Sequence, residues 1–355
     1  MTPPTKEPVS TLLLAHEGTV LEGMEPFNPF GSPPWLKHFV DQIVDDRQIA
    51  AAMVIANTGN QPTLLPLSFD PRSAWQLNGL TNYYASLHTP FHTLAADRVG
   101  AARALVAQLQ AEYPACSILK LAPLNAEAAD TAVLRAALGS AGWFTKSYFC
   151  FGNWYLPCEG LAFADYMKAR DSQLFNTWSR KAKKFKPDGK GEARLQLVTR
   201  PEDVAVAMNA FDTVYAKSWK DAEPYPDFVR GWAAVCAHEG WLRLGIAWVG
   251  DVPIAAQFWF TVAGRAYIFK LAYDEAFTKW SAGTVLTAYL MQQALDVDKV
   301  VEVDYLTGDD PYKKAWMSHR RERIGLLACK LRSLRGFLAA SREVVAALAR
   351  RWLPK

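Results

Sequence analysis

The sequence predicts an α+β (mixed α/β) chain of two domains, and three observations predict it. The chain has 355 residues, more than one hydrophobic core usually holds. Helical and extended periodicities alternate through both halves instead of segregating. In the second half, residues 241–249, 253–262 and 266–272 read as extended runs joined by the short turns Gly250-Asp251 and Gly264, which is an antiparallel meander.

Taken in order, the first half opens with a helix over 33–41 after Ser32-Pro33-Pro34, with Trp35, Phe39 and Ile43 on one stripe. Strands follow over 49–56 and 63–69, separated by the turn Asn57-Thr58-Gly59-Asn60. Residues 76–88, rich in Tyr, form a third extended region. A strong helical period covers 97–112, followed by a strand over 117–121, a helix over 126–141 and an aromatic strand over 146–156. Together these make a compact first domain over 1–157.

A helix over 161–174 leads into a basic segment carrying Arg180, Lys181, Lys183, Lys184, Lys186 and Lys190, with a turn at Pro187-Asp188-Gly189. The segment reads either as a solvated helix face or as an attraction for a phosphate-bearing partner, a coenzyme A ester or an anionic lipid head group. A strand over 193–198 comes next, then a long helix over 201–218 that ends at Ser218-Trp219-Lys220. The loop Glu223-Pro224-Tyr225-Pro226 leads to a helix over 227–238 and the meander. A helix, a strand over 300–306 and the opening of another helix complete a second domain over 158–330.

Composition narrows the classes. Half the residues are apolar and no tract is charge-rich or of low complexity, which excludes a disordered chain. The net charge of +4 is too small to argue for nucleic acid, and the basic segment offers no stacking platform, so no nucleic-acid partner is expected. Residues 1–18 carry Pro and Glu and only a four-residue apolar run, unlike a signal peptide, and no window resembles a spanning helix. The five cysteines are scattered, with no C-x-x-C pair and no Cys/His cluster of ligand spacing. A reduced, cytoplasmic, metal-free protein with no permanently bound cofactor is the expectation. His88 and His92 straddle Pro90, against a helical metal site, and no G-x-S-x-G elbow supports covalent serine catalysis.

The second domain is organised around residues 268–316. Lys270 to Tyr273 close a strand, and Asp274 to Trp280 break its pattern. Ser281 reads as an N-cap, and Leu286, Leu290, Ala294 and Leu295 recur as the buried stripe of an amphipathic helix. The next strand carries Asp304 near its carboxyl end and stops at Gly308-Asp309-Asp310-Pro311. A small-residue turn feeding a helix N-terminus is a ready anion site, because unpaired N–H groups and the helix dipole both point at it. The layout suits an enzyme that holds a pyrophosphate beside a carboxylate.

The order of elements resembles the Gcn5-related N-acyltransferase (GNAT) fold, in its FemAB-like branch, which includes cellulose-biosynthesis-type acetyltransferases. The resemblance rests on Phe211-Asp212 to Ser218-Trp219-Lys220, Gly240-Trp241-Leu242-Arg243-Leu244, Pro253-Ile254-Ala255-Ala256-Gln257, Lys270 to Tyr273 with Ser281-Ala282-Gly283-Thr284-Val285-Leu286, and Asp304-Tyr305-Leu306 through Gly308-Asp309 to Tyr312-Lys313 and Trp316. It covers about residues 165–325; residues 1–155 look like a degenerate first copy of the same fold. It implies tandem GNAT-like domains, each a mostly antiparallel central sheet flanked by helices.

It further implies transfer of an acyl group from a thioester, acetyl-CoA or a longer acyl-CoA as co-substrate, to an amine. Ser281, Ala282, Gly283 and Thr284 match the place where such folds hold the pyrophosphate. Ala282 stands where this branch is expected to have proline, which removes a rigid φ from the turn. Asp304 is the expected general base or amine-orienting carboxylate, and Tyr312 the proton donor to the leaving thiol. Lys270 and Lys313 would meet phosphates or a carboxylate. Ser218, Trp219, Lys220 and Tyr273 would wall the acceptor pocket.

Residues 331–355 form the last expected element, a basic amphipathic helix. Leu334, Phe337, Leu338, Val345, Leu348 and Trp352 share one broad face, with Arg332, Arg335, Arg342, Arg350 and Arg351 supplying charge. Such a helix packs on its own domain or lies on an anionic membrane surface, peripheral on the inner face of the cell membrane. The expected function is thioester-dependent N-acylation of a small or lipid-linked amine in cell-envelope polysaccharide or lipid biosynthesis. Long-chain acyl transfer to a sphingoid-type amine, as in bacterial ceramide synthases, and a non-catalytic envelope-assembly protein are the alternatives. Aminoacyl transfer from a charged tRNA, as in peptidoglycan-bridge enzymes of the branch, would want a helical hairpin insertion that the sequence does not show.

Overall fold

The computed structural model describes residues 27–44, 49–186 and 193–352. Residues 1–18, read as unlike a signal peptide, the turn Pro187-Asp188-Gly189 and Lys190 lie outside the described residues. The chain divides into two compact units, one of Met1–Phe151 with Glu322–Lys355 and one of Gly152–Arg321. The sequence division at 157/158 and 330/331 therefore moves, because the last strand and the helix after it join the first unit.

In the first unit, α1 (Pro33–Phe39) begins on two prolines, whose missing N–H groups would have no helical partner in a first turn anyway. β1 (Ala50–Thr58) and β2 (Gln61–Phe69) make a hairpin around Gly59, which takes the positive φ of +64° that the turn requires. β3 (Gln76–Gly79) ends well short of the extended region expected to residue 88. The chain turns instead at Asn82, whose side-chain oxygen accepts the Tyr84 N–H at 2.9 Å. After β4 (His92–Thr93), Asp97 caps α2 (Arg98–Glu112) by accepting the Gly100 N–H at 2.9 Å. β5 (Ile118–Asn125) and α3 (Ala129–Ser140) lead to β6 (Trp143–Pro157), which carries the chain into the second unit at Gly152.

There, α4 (Phe163–Lys168) and α5 (Ser172–Ala182) replace the single helix expected over 161–174. Asp171 accounts for the break, since its carboxylate caps α5 by accepting the Leu174 N–H at 2.8 Å. β7 (Phe185–Lys186), β8 (Ala193–Val198), α6 (Pro201–Ala216) and α7 (Pro226–His238) follow. The meander is β9 (Leu242–Val249), β10 (Val252–Val262) and β11 (Arg265–Tyr273), then come α8 (Ala282–Gln292), β12 (Glu302–Asp304) and α9 (Pro311–Trp316). β12 is shorter than the 300–306 expected because Asp304 folds the chain over, taking the Leu306 N–H at 2.7 Å while Leu306 adopts φ +55°.

β13 (His319–Lys330), where the sequence reading placed no element of its own, belongs to the first unit's sheet from Glu322 onward, and α10 (Leu334–Trp352) follows it. Ser333 caps α10, its hydroxyl accepting the Gly336 N–H at 3.0 Å. Gly336 is required by close approach, since a Cβ there would collide with the Lys330 carbonyl.

The sheet of the first unit runs β1-β2-β3-β5-β13, antiparallel except where β3 meets β5. That of the second runs β12-β11-β10-β9-β8-β7, with Tyr155–Pro157 of β6 against β12; β11/β12 and β7/β8 are its parallel pairs. Both are thus mostly antiparallel sheets with helices packed on them, a mixed α/β fold. Each unit has its own apolar core. In the second, Leu286 and Leu290 of α8 press on β9 at Gly245, where a Cβ would sit 2.9 Å from Leu290. Burying two such leucines contributes roughly 3–6 kcal/mol, which ties α8 to the meander.

Candidate active site

The parallel ladder of β11 and β12 holds three pairs, Arg265↔Glu302, Ala266↔Val303 and Tyr267↔Asp304. Past Asp304 it ends, while β11 runs on through Tyr273. Asp274 then caps a 3-10 turn over Glu275–Trp280, its carboxylate accepting the Ala276 N–H at 2.9 Å. Ser281 follows in the left-handed region (φ +50°) and opens α8 without a side-chain cap, so it holds the N-cap place but its hydroxyl does not do the capping. Ala282, where proline was expected, is buried in the core of this unit.

Residues Tyr273, Asp274, Phe277, Thr278 and Ser281 to Thr284, with Ile254 behind them, line one cavity of about 190 Å³. The first turn of a helix presents N–H groups with no partner inside the helix, and α8 presents its own to this turn. The turn is braced from β10 by Gln257, whose amide nitrogen donates to the Gly283 carbonyl at 3.1 Å and to the Thr287 hydroxyl at 2.7 Å. The Gln257 oxygen is taken by the Trp259 indole N–H at 2.9 Å, which fixes the amide's orientation. Part of the basic segment lies alongside. Lys181 donates to the Lys279 carbonyl at 2.5 Å, and Lys184 sits 5.3 Å from the centre of the Trp280 ring.

A second neighbourhood adjoins the cavity through Tyr273, whose ring lies 4.7 Å from that of Trp219. Here Lys220, Lys270 and Lys313 come together. Lys270 pairs with Glu223 at 2.5 Å. Lys313 is buried and donates to the Thr307 carbonyl at 2.5 Å, with the Tyr305 and Gly308 carbonyls at 3.4 Å and Asp310 at 3.3 Å. Lys220 differs. Its ammonium has no ion-pair partner among the described residues, and it faces the rings of Trp219 at 5.6 Å and Tyr215 at 5.8 Å. Burial, and then repulsion from Lys270 and Lys313, pull it down to about 8. Burial also lowers Lys270 and Lys313, against the pull of Glu223 and Asp310 respectively. Ser218 closes α6, its hydroxyl donating to the Tyr215 carbonyl at 2.7 Å. The Tyr312 ring stands edge-on to Tyr305 at 5.7 Å, and burial, then Asp310, push its phenol up, so the proton stays on.

Asp304 is 2% exposed and surrounded by donors. Its carboxylate accepts from Asn153 Nδ2 at 2.6 Å, Leu306 N–H at 2.7 Å and Arg321 Nη2 at 2.5 Å. Arg321 also reaches Glu302 at 2.8 and 3.2 Å and Asn153 Oδ1 at 2.6 Å, with Tyr155 stacked at 4.2 Å. Burial works against the Arg321 charge, but the two carboxylates outweigh it and raise its basicity. A carboxylate gripped by three donors is a rigid anchor.

The cavity thus gathers Tyr273, Ser281, Ala282, Gly283 and Thr284, and the lysine neighbourhood gathers Trp219, Lys220, Lys270 and Lys313. Sequence reasoning passed over Asn153, Tyr215, Glu223 and Arg321 as site residues. Glu223 sits in a proline-punctuated loop and Asn153 lies 168 residues from Arg321, so no local pattern signals either. Among the described residues no group of three His, Cys, Asp or Glu could hold a metal.

Residues 172–314 match the family described as an acetyltransferase (GNAT) domain. No curated protein matches the chain. Among solved structures it is similar to FemX, with a TM-score of 0.60 and 10% identity over 89% of this chain and 95% of that one. L-PGS from Bacillus licheniformis gives a TM-score of 0.53 at 11% identity over 97% of both chains. The C-terminal domain of a putative lysylphosphatidylglycerol synthetase from Agrobacterium fabrum gives 0.52 at 11% identity, covering 87% of this chain and 96% of that domain. At such identities the likeness is one of fold. Residues 172–314 are thus similar to the GNAT acetyltransferase domain, and the chain as a whole shares the fold of FemX.

Proposed function

We propose that the second unit transfers an acyl group from a thioester, acetyl-CoA or a longer acyl-CoA, to the amine of a small or lipid-linked acceptor used in building the cell envelope. One observation carries the reading: the turn Ser281 to Thr284 opens a cavity at the end of β11, where that strand has run on beyond its last pair with β12 at Tyr267. At about 190 Å³ it is smaller than the roughly 300–1,000 Å³ of whole small-molecule sites, which suits one section of an extended donor. The α8 amides would take the donor's pyrophosphate, with Lys181 and Lys184 close by.

The lysine neighbourhood suits the acceptor. Clustered ammonium groups disfavour a further positive charge, so an amine placed among them sheds its proton more readily. Its nitrogen then attacks the thioester carbonyl carbon, the C–N bond forms, and the C–S bond breaks with its electron pair going to sulfur. Tyr312, held protonated, supplies the thiolate's proton, and the proton lost by the amine restores the phenol through solvent. Asp304 serves as the orienting carboxylate, holding the loop 305–308 that carries Tyr305 and the carbonyls bound by Lys313.

The test is incubation of the purified chain with acyl-CoAs from acetyl to long-chain, following melting temperature and thiol release with a glucosamine or long-chain amine acceptor. Protection by at least one thioester and amine-dependent thiol release are expected. If no thioester of any length protects, the proposal fails. Tyr312→Phe lowers turnover about 10²-fold or more with donor protection intact. The neighbour named as a putative lysylphosphatidylglycerol synthetase makes an aminoacyl donor the second reading, offered in the same assay.

A further inference from the structure

α10 sits the wrong way round for a surface helix. An ordinary one turns its apolar stripe to the core and its polar face outward. α10 meets the first unit through small residues, with Gly336 and Ala340 buried, and through Glu343, which pairs with Lys146 of β6 at 2.6 Å. Its large apolar side chains point the other way. Leu334 is 75% exposed and Val345 64%, and Phe337, Leu338 and Leu348 are each at least half exposed. At 3.6 residues per turn these five lie on one stripe, opposite Gly336 and Glu343. A contiguous exposed stripe of this kind marks an interaction surface.

The charges say which. From Leu331 to Ala349 the segment carries Arg332, Arg335 and Arg342, all exposed, against a single acid, Glu343, already paired inward. Arg335 and Arg342 fall about 80–100° round from the middle of the stripe, along one edge of it. Long cationic side chains in that place lay their stems along apolar surface and raise their heads to an anionic layer. Two copies meeting stripe to stripe would instead bring the same arginines together. No helix among the described residues is long and apolar enough to cross a membrane, so the geometry is that of a helix lying on a surface.

We propose that α10 docks the chain on an anionic phospholipid bilayer, with the stripe of Leu334, Phe337, Leu338, Val345 and Leu348 in the headgroup–acyl boundary and Arg332, Arg335 and Arg342 on the phosphates. The inference concerns the first unit, outside the GNAT domain, and stands whether or not the chain transfers acyl groups.

The test is co-sedimentation of the full chain with vesicles of phosphatidylcholine alone and of equal parts phosphatidylcholine and phosphatidylglycerol. Partition onto the phosphatidylglycerol vesicles is expected to exceed that onto phosphatidylcholine at least about tenfold, and to fall steeply between about 0.1 and 0.5 M salt. The double variant Phe337→Ser, Leu338→Ser lowers it about tenfold or more, with the melting temperature unchanged because both side chains face outward. Arg335→Gln with Arg342→Gln keeps the stripe and removes most of the preference for phosphatidylglycerol, which tests the charges should the first variant lose helix. No binding to either vesicle, equal binding to both, or a stripe variant that binds as the parent does would overturn the proposal. So would a dimer, seen by ultracentrifugation, that the stripe variant disperses.

Discussion

Removing the Arg321 guanidinium is the sharpest test of how β12 and its turn are held. Arg321→Met keeps the length of the side chain and deletes its bonds to Glu302, Asp304 and Asn153. The Asp304 side chain is 3% exposed and that of Glu302 14%, so Asp304 loses its cation away from water and Glu302 keeps, among the described residues, only Arg265 at 3.9 Å. Breaking a buried pair from one side costs about 3–5 kcal/mol. Asp304→Asn should cost less, about 2 kcal/mol, because its remaining oxygen can still accept from Leu306 N–H while Arg321 keeps Glu302. Combining the two removes the stranded charge at Asp304, so the double variant should fall short of the sum by at least about 1 kcal/mol. Urea unfolding followed by tryptophan fluorescence reads this out. Nine of the 13 tryptophans lie in the second unit, the others being Trp35, Trp75, Trp143 and Trp352. With an m of about 2 kcal/mol/M, Arg321→Met lowers the midpoint by roughly 1.5–2.5 M. A midpoint within about 0.25 M of the parent, or strict additivity in the double variant, refutes the reasoning.

Three further predictions follow from the same geometry. Gln257→Leu unties Gly283 and Thr287 and strands the Trp259 indole, costing about 1–3 kcal/mol in unfolding and weakening thioester protection more than the loss in stability explains. Lys220, held at about 8, loses its ammonium as pH rises through 8, so binding of an anionic ligand measured by calorimetry falls between about pH 7 and 9. In Lys220→Met that fall is much reduced; an unchanged profile would remove Lys220 from the site. His88 is buried and pushed down to about 4 by desolvation, so the unfolded chain takes up a proton below its ordinary value of 6.5 and the folded chain only near 4. Stability is present above 6.5 and is lost as pH falls through that window, by about 3 kcal/mol in all. His88→Leu should flatten this part of the pH–melting curve of the first unit.

Much of this fold could be read from periodicity, because periodicity reflects burial on one face. β8 matches its expected bounds, α2 and the meander strands come within a residue of theirs, and Asp97, Gly59 and Pro201 punctuate the chain as their chemistry requires. What periodicity missed has a common cause. β13 opens with His319, Arg320, Arg321 and Glu322, a run that looks solvated, yet Arg321 is held by Asn153, distant in sequence, and Arg323 is buried. β12 ends early through one side-chain hydrogen bond, which no propensity contains. The turn Ser281 to Thr284 could be found from its small residues, and Tyr273 from its place at a strand end. The lysine neighbourhood could be named residue by residue but not assembled, since Lys220, Lys270 and Lys313 meet only through folding.

The course of β13 sets an order of events in synthesis. β5 has two neighbours in its sheet, β3, which precedes it, and β13, which arrives some 200 residues later. After α3 and the first part of β6, everything from Gly152 to Arg321 belongs to the other unit. On the ribosome, therefore, the half that begins the chain waits with one flank of β5 open while the half made afterwards completes its own sheet. An exposed strand flank is a pairing template for any extended chain. A protein cut after Arg321 would keep all of residues 172–314 yet leave that flank open for good, so its failure in solution would come from the first unit.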